Sequence, residues 1–296
     1  MFSFFQNLSS GDPMSLTKYD IHNTQQNHYI KFNINGIDRS FIEHSVRAIT
    51  VRDPFTRIWS AYIDKFLLPD FWASKGKHII SMTRPNPKLM SLRCGHDVTF
   101  LEFVQYIIEV GHSFQFYNQD KHWLPASDIC DPCFFKPSII GKQETFLADF
   151  KYTLEQTGLS KWLEKIQAVD ITGFEIKEEI DYTFRIFHRV EKCIDKYELS
   201  KRIWTAFILN GYIPANETFP TDIDPGSLNA ESFHELVKGV RAKYTITSEQ
   251  KRAIRTHALQ TAYRQVPKDH LDALRELYKL DFVLFGYNPH PDYLPS

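Results

Sequence analysis

The sequence predicts an α/β fold built on a parallel sheet, and three observations carry that reading. Val46-Arg47-Ala48-Ile49-Thr50-Val51 is a short β-branched run, and Ser138-Ile139-Ile140-Gly141 is a second. Each is followed by a helix signal, and strands alternating with helices imply parallel pairing in a layered fold. Hydrophobic residues make up 43% of the 296, enough to bury a core of that kind.

The same figures bound the function. The length suits one large domain, or one domain with a sizeable insertion. Lys and Arg number 35 against 36 Asp and Glu. Chains that bind nucleic acid or a membrane surface usually carry a basic excess, so no nucleic-acid partner is expected and any polyanion site is local. No apolar run approaches the roughly 18–20 residues that span a bilayer. The opening MFSFFQNLSS lacks the basic stretch and the apolar length of a signal peptide. Taken literally, these features describe a soluble chain outside the secretory pathway.

The elements run in order along the chain. Residues 1–45 are polar and Asn-rich, with weak periodicity. After the first strand, Asp53 and Pro54 open a helix: a capping carboxylate, then a proline whose missing N–H is harmless at the first position. This helix runs to about Phe66, ahead of Pro69, and residues 70–97 read as loop. Thr99-Phe100-Leu101-Glu102 is a capping box, and Phe100, Phe103, Val104, Ile107 and Ile108 behind it form an apolar stripe closed by Gly111. Residues 112–137 form a long aromatic loop with Pro125, Pro132 and Pro137. A helix over 146–157 comes after the second strand and stops at Gly158. Residues 175–212 are largely helical, and 213–230 are a loop rich in proline. Thr247-Ser248-Glu249-Gln250 is another capping box, opening a helix to about Gln265. A last helix starts near Asp269 and runs into YKLDFVLFGY, residues 278–287.

The four cysteines are Cys94, Cys130, Cys133 and Cys193. Cys130 and Cys133 make a lone CxxC, a poor zinc site because structural zinc takes four ligands. Asp131-Pro132 between them looks like a turn rather than a redox motif, which leaves disulfides or buried thiols, with the pairing open. Asn7-Leu8-Ser9 and Asn216-Glu217-Thr218 are glycosylation sequons, meaningful only in a lumenal chain.

Chemistry concentrates in VRDPFTRIWSAYIDKF, residues 51–66. On a helix at about 100° per residue, Phe55, Ile58, Trp59, Tyr62 and Phe66 share one face, directed at the sheet. Asp53, Arg57, Ser60 and Asp64 share the opposite face. A solvated polar face is the ordinary reading of such a helix. Against it stands Arg52, placed at the C-terminal end of a strand, where open α/β sheets bind ligands. An arginine there can grip a phosphate with two parallel hydrogen bonds, and Ser60 can add a neutral donor. Arg57 is read as leaning on a phosphate or as salt-bridged to Asp53 or Asp64, with the salt bridge favoured.

RDPFTRIWSAYIDKF resembles the 3′-phosphate-binding segment of sulfotransferases, and most closely that of the Golgi carbohydrate sulfotransferases of the chondroitin and dermatan 4-O type. TFLEFVQY (99–106), HWLP (122–125), CDPC (130–133), IGKQE (140–144) and YKLDFVLFGY also resemble blocks of that family, in its order. The resemblance covers roughly residues 1–165 and 270–288. It implies a three-layer fold like that of P-loop nucleotide kinases, although no GxxxxGK[ST] is present. It implies a sulfuryl donor, 3′-phosphoadenylyl sulfate (PAPS), whose 3′-phosphate is held by Arg52 and Ser60. It also implies a glycan or glycosaminoglycan-type acceptor, no metal, and a lumenal domain in the Golgi membrane. In the family a loop of the form Pro-Lys-x-Gly/Ala-x-Thr-Asn-Trp-Lys cradles the 5′-phosphosulfate. This chain contains no such loop, and residues 1–15 resemble the family sequence just after it, inside the first helix. The first strand, that loop and the membrane anchor are therefore expected upstream of Met1. Two readings remain: a carbohydrate O-sulfotransferase, or a non-catalytic sulfotransferase-like protein that binds nucleotide, glycan or a partner without transfer.

His122 in DKHWLP is the candidate base, since imidazole takes protons near neutral pH; a loop histidine packed on Trp123 is the competing reading. Lys142 and Glu144 lie at and just after the end of the second strand and are candidates for the nucleotide, or an ordinary exposed pair. The expected organisation is one sulfotransferase domain over 1–296, with its core at about 1–169 and 269–288 and a helical insertion at about 170–268. Eight Lys or Arg between Lys238 and Lys268 face a single acid, Glu249. They read as a solvated helix face, with a groove for an anionic glycan as the alternative.

Overall fold

The computed structural model describes residues 43–111 and 120–295. Among these the chain is rich in helix and forms a two-stranded parallel sheet from β1 (Ala48–Val51) and β2 (Ile139–Lys142). Ala48 lies opposite Ile139 and Val51 opposite Lys142. The chain divides into two compact units, residues 1–52 with 130–182 and residues 53–129 with 183–296.

The first unit carries the sheet. β1 buries Ile49 and Val51 and turns Ala48 and Thr50 outward, the period of a strand covered on one side. Arg47 sets the register: its N–H donates to Ser138 Oγ (3.0 Å) and its Nε to the Lys136 carbonyl (2.8 Å). A short 3-10 turn leads from β2 into the Phe146–Gln156 helix. Asp149 on that helix reaches back to accept from the Lys142 N–H (2.7 Å) and from Thr145 Oγ1 (2.5 Å). These two donors hold its carboxyl below the ordinary carboxylate value. Gly141 permits the approach, since a Cβ there would lie 3.3 Å from Asp149 Cβ. The helix ends as expected at Gly158, whose φ of +70° suits glycine.

The second unit is helical and built around aromatic rings. Asp53 caps the Pro54–Tyr62 helix, accepting from the Thr56 N–H at 2.9 Å and from the Tyr293 hydroxyl at 2.7 Å. The helix stops short of Phe66: Ile63–Leu67 is a π-helical turn. The sequence points its aromatic face at the sheet, but the rings it meets belong to the helices Phe100–Gly111 and Ser248–Tyr263. Phe55 packs edge-on to Tyr263 at 5.6 Å, Trp59 edge-on to Phe100 at 5.1 Å, and Phe66 against Phe103 at 4.7 Å.

Residues 70–97, expected as loop, hold a π turn (Trp72–Gly76) and the helices Lys77–Thr83 and Leu89–Cys94. Trp72, Ile79 and Ile80 there are fully buried. The glycines that read as loop serve close packing instead, since a Cβ on Gly76 would stand 2.5 Å from the Gly95 carbonyl oxygen. Both capping boxes form as read. Glu102 Oε2 accepts from the Thr99 N–H while Thr99 Oγ1 accepts from the Glu102 N–H, and Thr247 and Gln250 do the same.

Beyond residue 183 the unit contributes the helices Lys196–Leu209, Ala230–Lys243, Ser248–Tyr263, Lys268–Leu277 and Lys279–Phe285. Leu259, Ala262, Tyr263, Leu274 and Phe282 share one core with Phe55, Phe103 and Trp123. A disulfide between Cys94 and Cys193, with Cα atoms 5.8 Å apart, joins the two stretches covalently. Cys130 and Cys133 are thiols, Cys133 exposed rather than buried. Of the eight cations between Lys238 and Lys268, only Arg241 and Lys251 are half-buried and the rest are exposed, which fits a solvated face. Among the described residues no helix is long and apolar enough to cross a membrane.

Candidate functional site

The residues singled out in the sequence fall in both units, and each unit assembles its own group. In the first, Arg52 comes directly after the last residue of β1 and Lys142 ends β2; the pairing of Val51 with Lys142 brings both to the same edge of the sheet. Arg52 and Lys142 are half-buried and Glu144 is exposed. Lys142 is fixed through its backbone by Asp149, at the end of the strand.

In the second unit, Ser60 and Arg57 lie one turn apart on the Pro54–Tyr62 helix, both half-buried. The ion pair read for Arg57 does not form. Its Nη2 instead donates to the Lys121 carbonyl at 2.7 Å, and its Nη1 is buried with no hydrogen-bond partner among the described residues. Asp53 is engaged as helix cap and by Tyr293, and Asp64 pairs with Lys65 at 2.9 Å, so the carboxylates expected for Arg57 are committed elsewhere. Arg57 thereby ties the helix that carries Ser60 to the turn that carries His122.

His122 is held at three points. Its N–H donates to Asp120 Oδ1 at 3.0 Å, its Nδ1 meets the same carboxylate, and its ring stands edge-on to Phe71 at 5.6 Å. Burial pushes the Asp120 carboxyl up, but the His122 side chain and backbone N–H outweigh that and hold it below the usual value. With Nδ1 committed to Asp120, Nε2 is the nitrogen left for a substrate. The His122 side chain is 39% exposed, so a ligand can reach it.

The turn around His122 is itself anchored from the C-terminus. The Tyr278 hydroxyl donates to the Trp123 carbonyl. Asp281, only 1% exposed, accepts from the backbone N–H groups of Ala126 (2.7 Å) and Ser127 (2.8 Å) at the start of the Ala126–Cys130 helix. HWLP and YKLDF, far apart in sequence, are therefore one structural piece. Sequence reasoning missed Asp120, Arg57 as a tether, and Asp281. A carboxylate inside the apolar run LDFVLF was the available signal, because a buried charge requires a partner.

Comparison with known proteins bears on what these groups serve. The model of the Sulfotransferase family matches residues 4–186, more than half of the chain. The chain belongs to the sulfotransferase family. It is similar to carbohydrate sulfotransferase 11 of Mus musculus, 32% identical over 160 residues, which is 52% of this chain and 44% of the relative. It is similar to carbohydrate sulfotransferase 9 of Homo sapiens, 35% identical over 135 residues, 45% of this chain and 30% of the relative. Carbohydrate sulfotransferase 14 of Danio rerio is 31% identical over 121 residues, 40% of this chain and 32% of the relative. The chain thus spans less than half the length of each of these relatives. No solved structure matches it.

Proposed function

We propose that this chain is the sulfuryl-transferring part of a carbohydrate O-sulfotransferase that takes its sulfuryl group from PAPS. The observation that carries the reading is the strand-to-helix segment Arg52–Phe66, which lies inside the family match and has a guanidinium (Arg52) and a hydroxyl (Ser60) at the two positions that the resemblance gives to the 3′-phosphate. Arg52 supplies a bidentate cation for the 3′-phosphate and Ser60 a neutral donor. Lys142 adds positive charge at the same sheet edge as Arg52, where open α/β sheets bind nucleotides. Glu144, just beyond it, is positioned to accept from a ribose or adenine donor.

In the proposed reaction a sugar hydroxyl attacks sulfur in line. The new S–O bond forms as the bond from sulfur to the phosphate oxygen breaks, and 3′,5′-adenosine bisphosphate leaves with that electron pair. The hydroxyl proton goes to His122 Nε2, and Asp120 at Nδ1 stabilises the imidazolium. Positioning and charge neutralisation supply most of the acceleration, as in phosphoryl transfer. The fold proposed for the whole domain is the three-layer α/β arrangement of nucleotide kinases. A lumenal Golgi setting is supported by the Cys94–Cys193 disulfide, since such bonds persist in oxidising compartments, and by the exposure of Asn216 in its sequon.

The test is calorimetric binding of 3′,5′-adenosine bisphosphate to the wild-type chain, Arg52→Ala and Ser60→Ala. Saturable binding is expected, weakened at least tenfold in each variant, a loss of about 1.4 kcal/mol or more. A folded chain that does not bind, or variants that bind like wild type, would overturn the clamp and favour the non-catalytic reading. Where transfer is measurable, His122→Ala should lower kcat by roughly 100-fold or more with little change in bisphosphate affinity.

A further inference from the structure

The transfer reaction gives no role to Asn216-Glu217-Thr218, one of the two sequons of the chain. The other, at Asn7, lies outside the described residues. Asn216 belongs to the second unit, on the segment that joins the helices Lys196–Leu209 and Ala230–Lys243, beyond the family match that ends at residue 186.

This segment is pinned on both sides of the sequon. Ile213 is wholly buried before it and Phe219 is buried after it. The Phe219 ring packs against Tyr197 at 5.2 Å and Trp204 at 5.6 Å, and the Tyr197 hydroxyl donates to the Pro220 carbonyl at 3.2 Å. Between the anchors Pro214–Glu217 forms a β-turn, closed by the Glu217 N–H donating to the Pro214 carbonyl at 3.1 Å. Asn216 stands at the corner of that turn.

The residues of the sequon divide by what they touch. Glu217 is tied to the unit: its carbonyl accepts from Trp204 Nε1 at 3.1 Å and its carboxylate from the Tyr244 hydroxyl. Asn216 and Thr218 on either side are exposed, and their side chains make no hydrogen bond among the described residues. An asparagine with a structural duty commits its carboxamide to neighbouring N–H groups. Asn229 does so thirteen residues on, where it caps a helix by accepting from the Ser232 N–H at 2.9 Å. Asn216 has no such duty. Its carboxamide and the Thr218 hydroxyl are both available, and the residue between them is not proline, as an acceptor sequon requires.

We propose that Asn216 is an N-glycosylation site, with an oligosaccharide carried on a polyprenyl diphosphate as the donor. The inference rests on the lumenal setting proposed above. In the transfer the Asn216 amide nitrogen forms a bond to C1 of the first sugar as the bond from C1 to the diphosphate oxygen breaks. The diphosphate leaves with that electron pair, and one amide proton passes to a base of the transferring enzyme. The turn accepts this bulk at its corner while Ile213, Glu217 and Phe219 keep their contacts, so the core gives up nothing.

The test expresses the full chain behind a cleavable signal peptide in animal cells, with Asn7→Gln removing the other sequon. Digestion with peptide N-glycosidase should shift the mobility by one glycan and leave Asp at position 216, read by mass spectrometry. Asn216→Gln and Thr218→Ala should each abolish the shift, whereas Thr218→Ser should retain it. Cleavage of the signal peptide and formation of the Cys94–Cys193 bond report entry and folding in every variant. An entered, disulfide-bonded chain without the shift would overturn the proposal and leave the lumenal reading standing. A shift that survives Asn216→Gln would overturn it as well. Asn216 modified in the signal-bearing chain but bare in protein from its native source would strike the lumenal reading, and the proposal with it.

Discussion

Within the second unit, residues 53–129 and 183–295 differ in how recognisable they are and hardly at all in how much of the core they build. The family match covers the first stretch and ends four residues into the second. Yet Tyr263 is wholly buried against Phe55 and Phe100, and its hydroxyl donates to the Phe55 carbonyl at 2.8 Å. Phe282 lies 5.4 Å from Phe55, and Cys193 is bonded to Cys94. Sequence similarity tracks the residues held to one chemistry, whereas covering an aromatic face requires only apolar side chains of suitable shape. The second stretch completes the core of the first although the family match does not extend over it.

Breaking that shared core should have the largest effect. Tyr263→Ala should cost about 3–5 kcal/mol of unfolding free energy in denaturant titration, with one cooperative transition. A loss below about 1 kcal/mol would mean that the two stretches do not depend on each other. Replacing Cys94 and Cys193 together by Ser should cost about 2–5 kcal/mol, the span expected when a long loop is released. Asp281→Asn weakens the cap on the Ala126–Cys130 helix and should cost about 1–3 kcal/mol. It should also raise amide exchange around His122 ahead of the rest of the unit.

An acid-side measurement sharpens the comparison inside the first stretch alone. Arg84 bonds both Glu102 and Asp97, and although burial raises these carboxyls, Arg84 and the neighbouring donors hold them below their ordinary values. Depressed carboxylates stabilise fully above their unfolded-state pKa and lose that contribution as pH falls through the folded value. Tm should therefore drop between about pH 5 and 3 in wild type, and Arg84→Met should flatten that drop. The smallest effects belong to the two capping boxes. Thr99→Ala and Thr247→Ala should each cost about 1 kcal/mol, and equal losses would show that local helix signals carry the same weight in both stretches.

Those capping boxes, the Asp53-Pro54 start and the two strands were legible because each depends on neighbours within a few residues. The helices of residues 72–94 were not. Gly76 and Gly95 punctuate a sequence as turns do, and only the close approach of two backbones reveals their purpose. The partner of Arg57 was likewise out of reach: the sequence offered carboxylates one helical turn away, and the bond goes to a main-chain carbonyl at Lys121. Of the candidate site, the residue types were readable and their tethers were not, because Asp120, Tyr278 and Asp281 act through backbone groups or neighbours that no local pattern specifies.

The Tyr263 contact also sets a schedule. A ribosome releases Phe55, Phe66 and Phe103 well before it has made the helix that covers them. At roughly 5–20 residues per second, the wait for residue 263 lasts on the order of ten seconds or more. During that interval the aromatic face is bare, and for its first part Cys94 has no Cys193 to join. Closure of this unit therefore waits for the Ser248–Tyr263 helix, and the chain before that point is the form that quality control must shield.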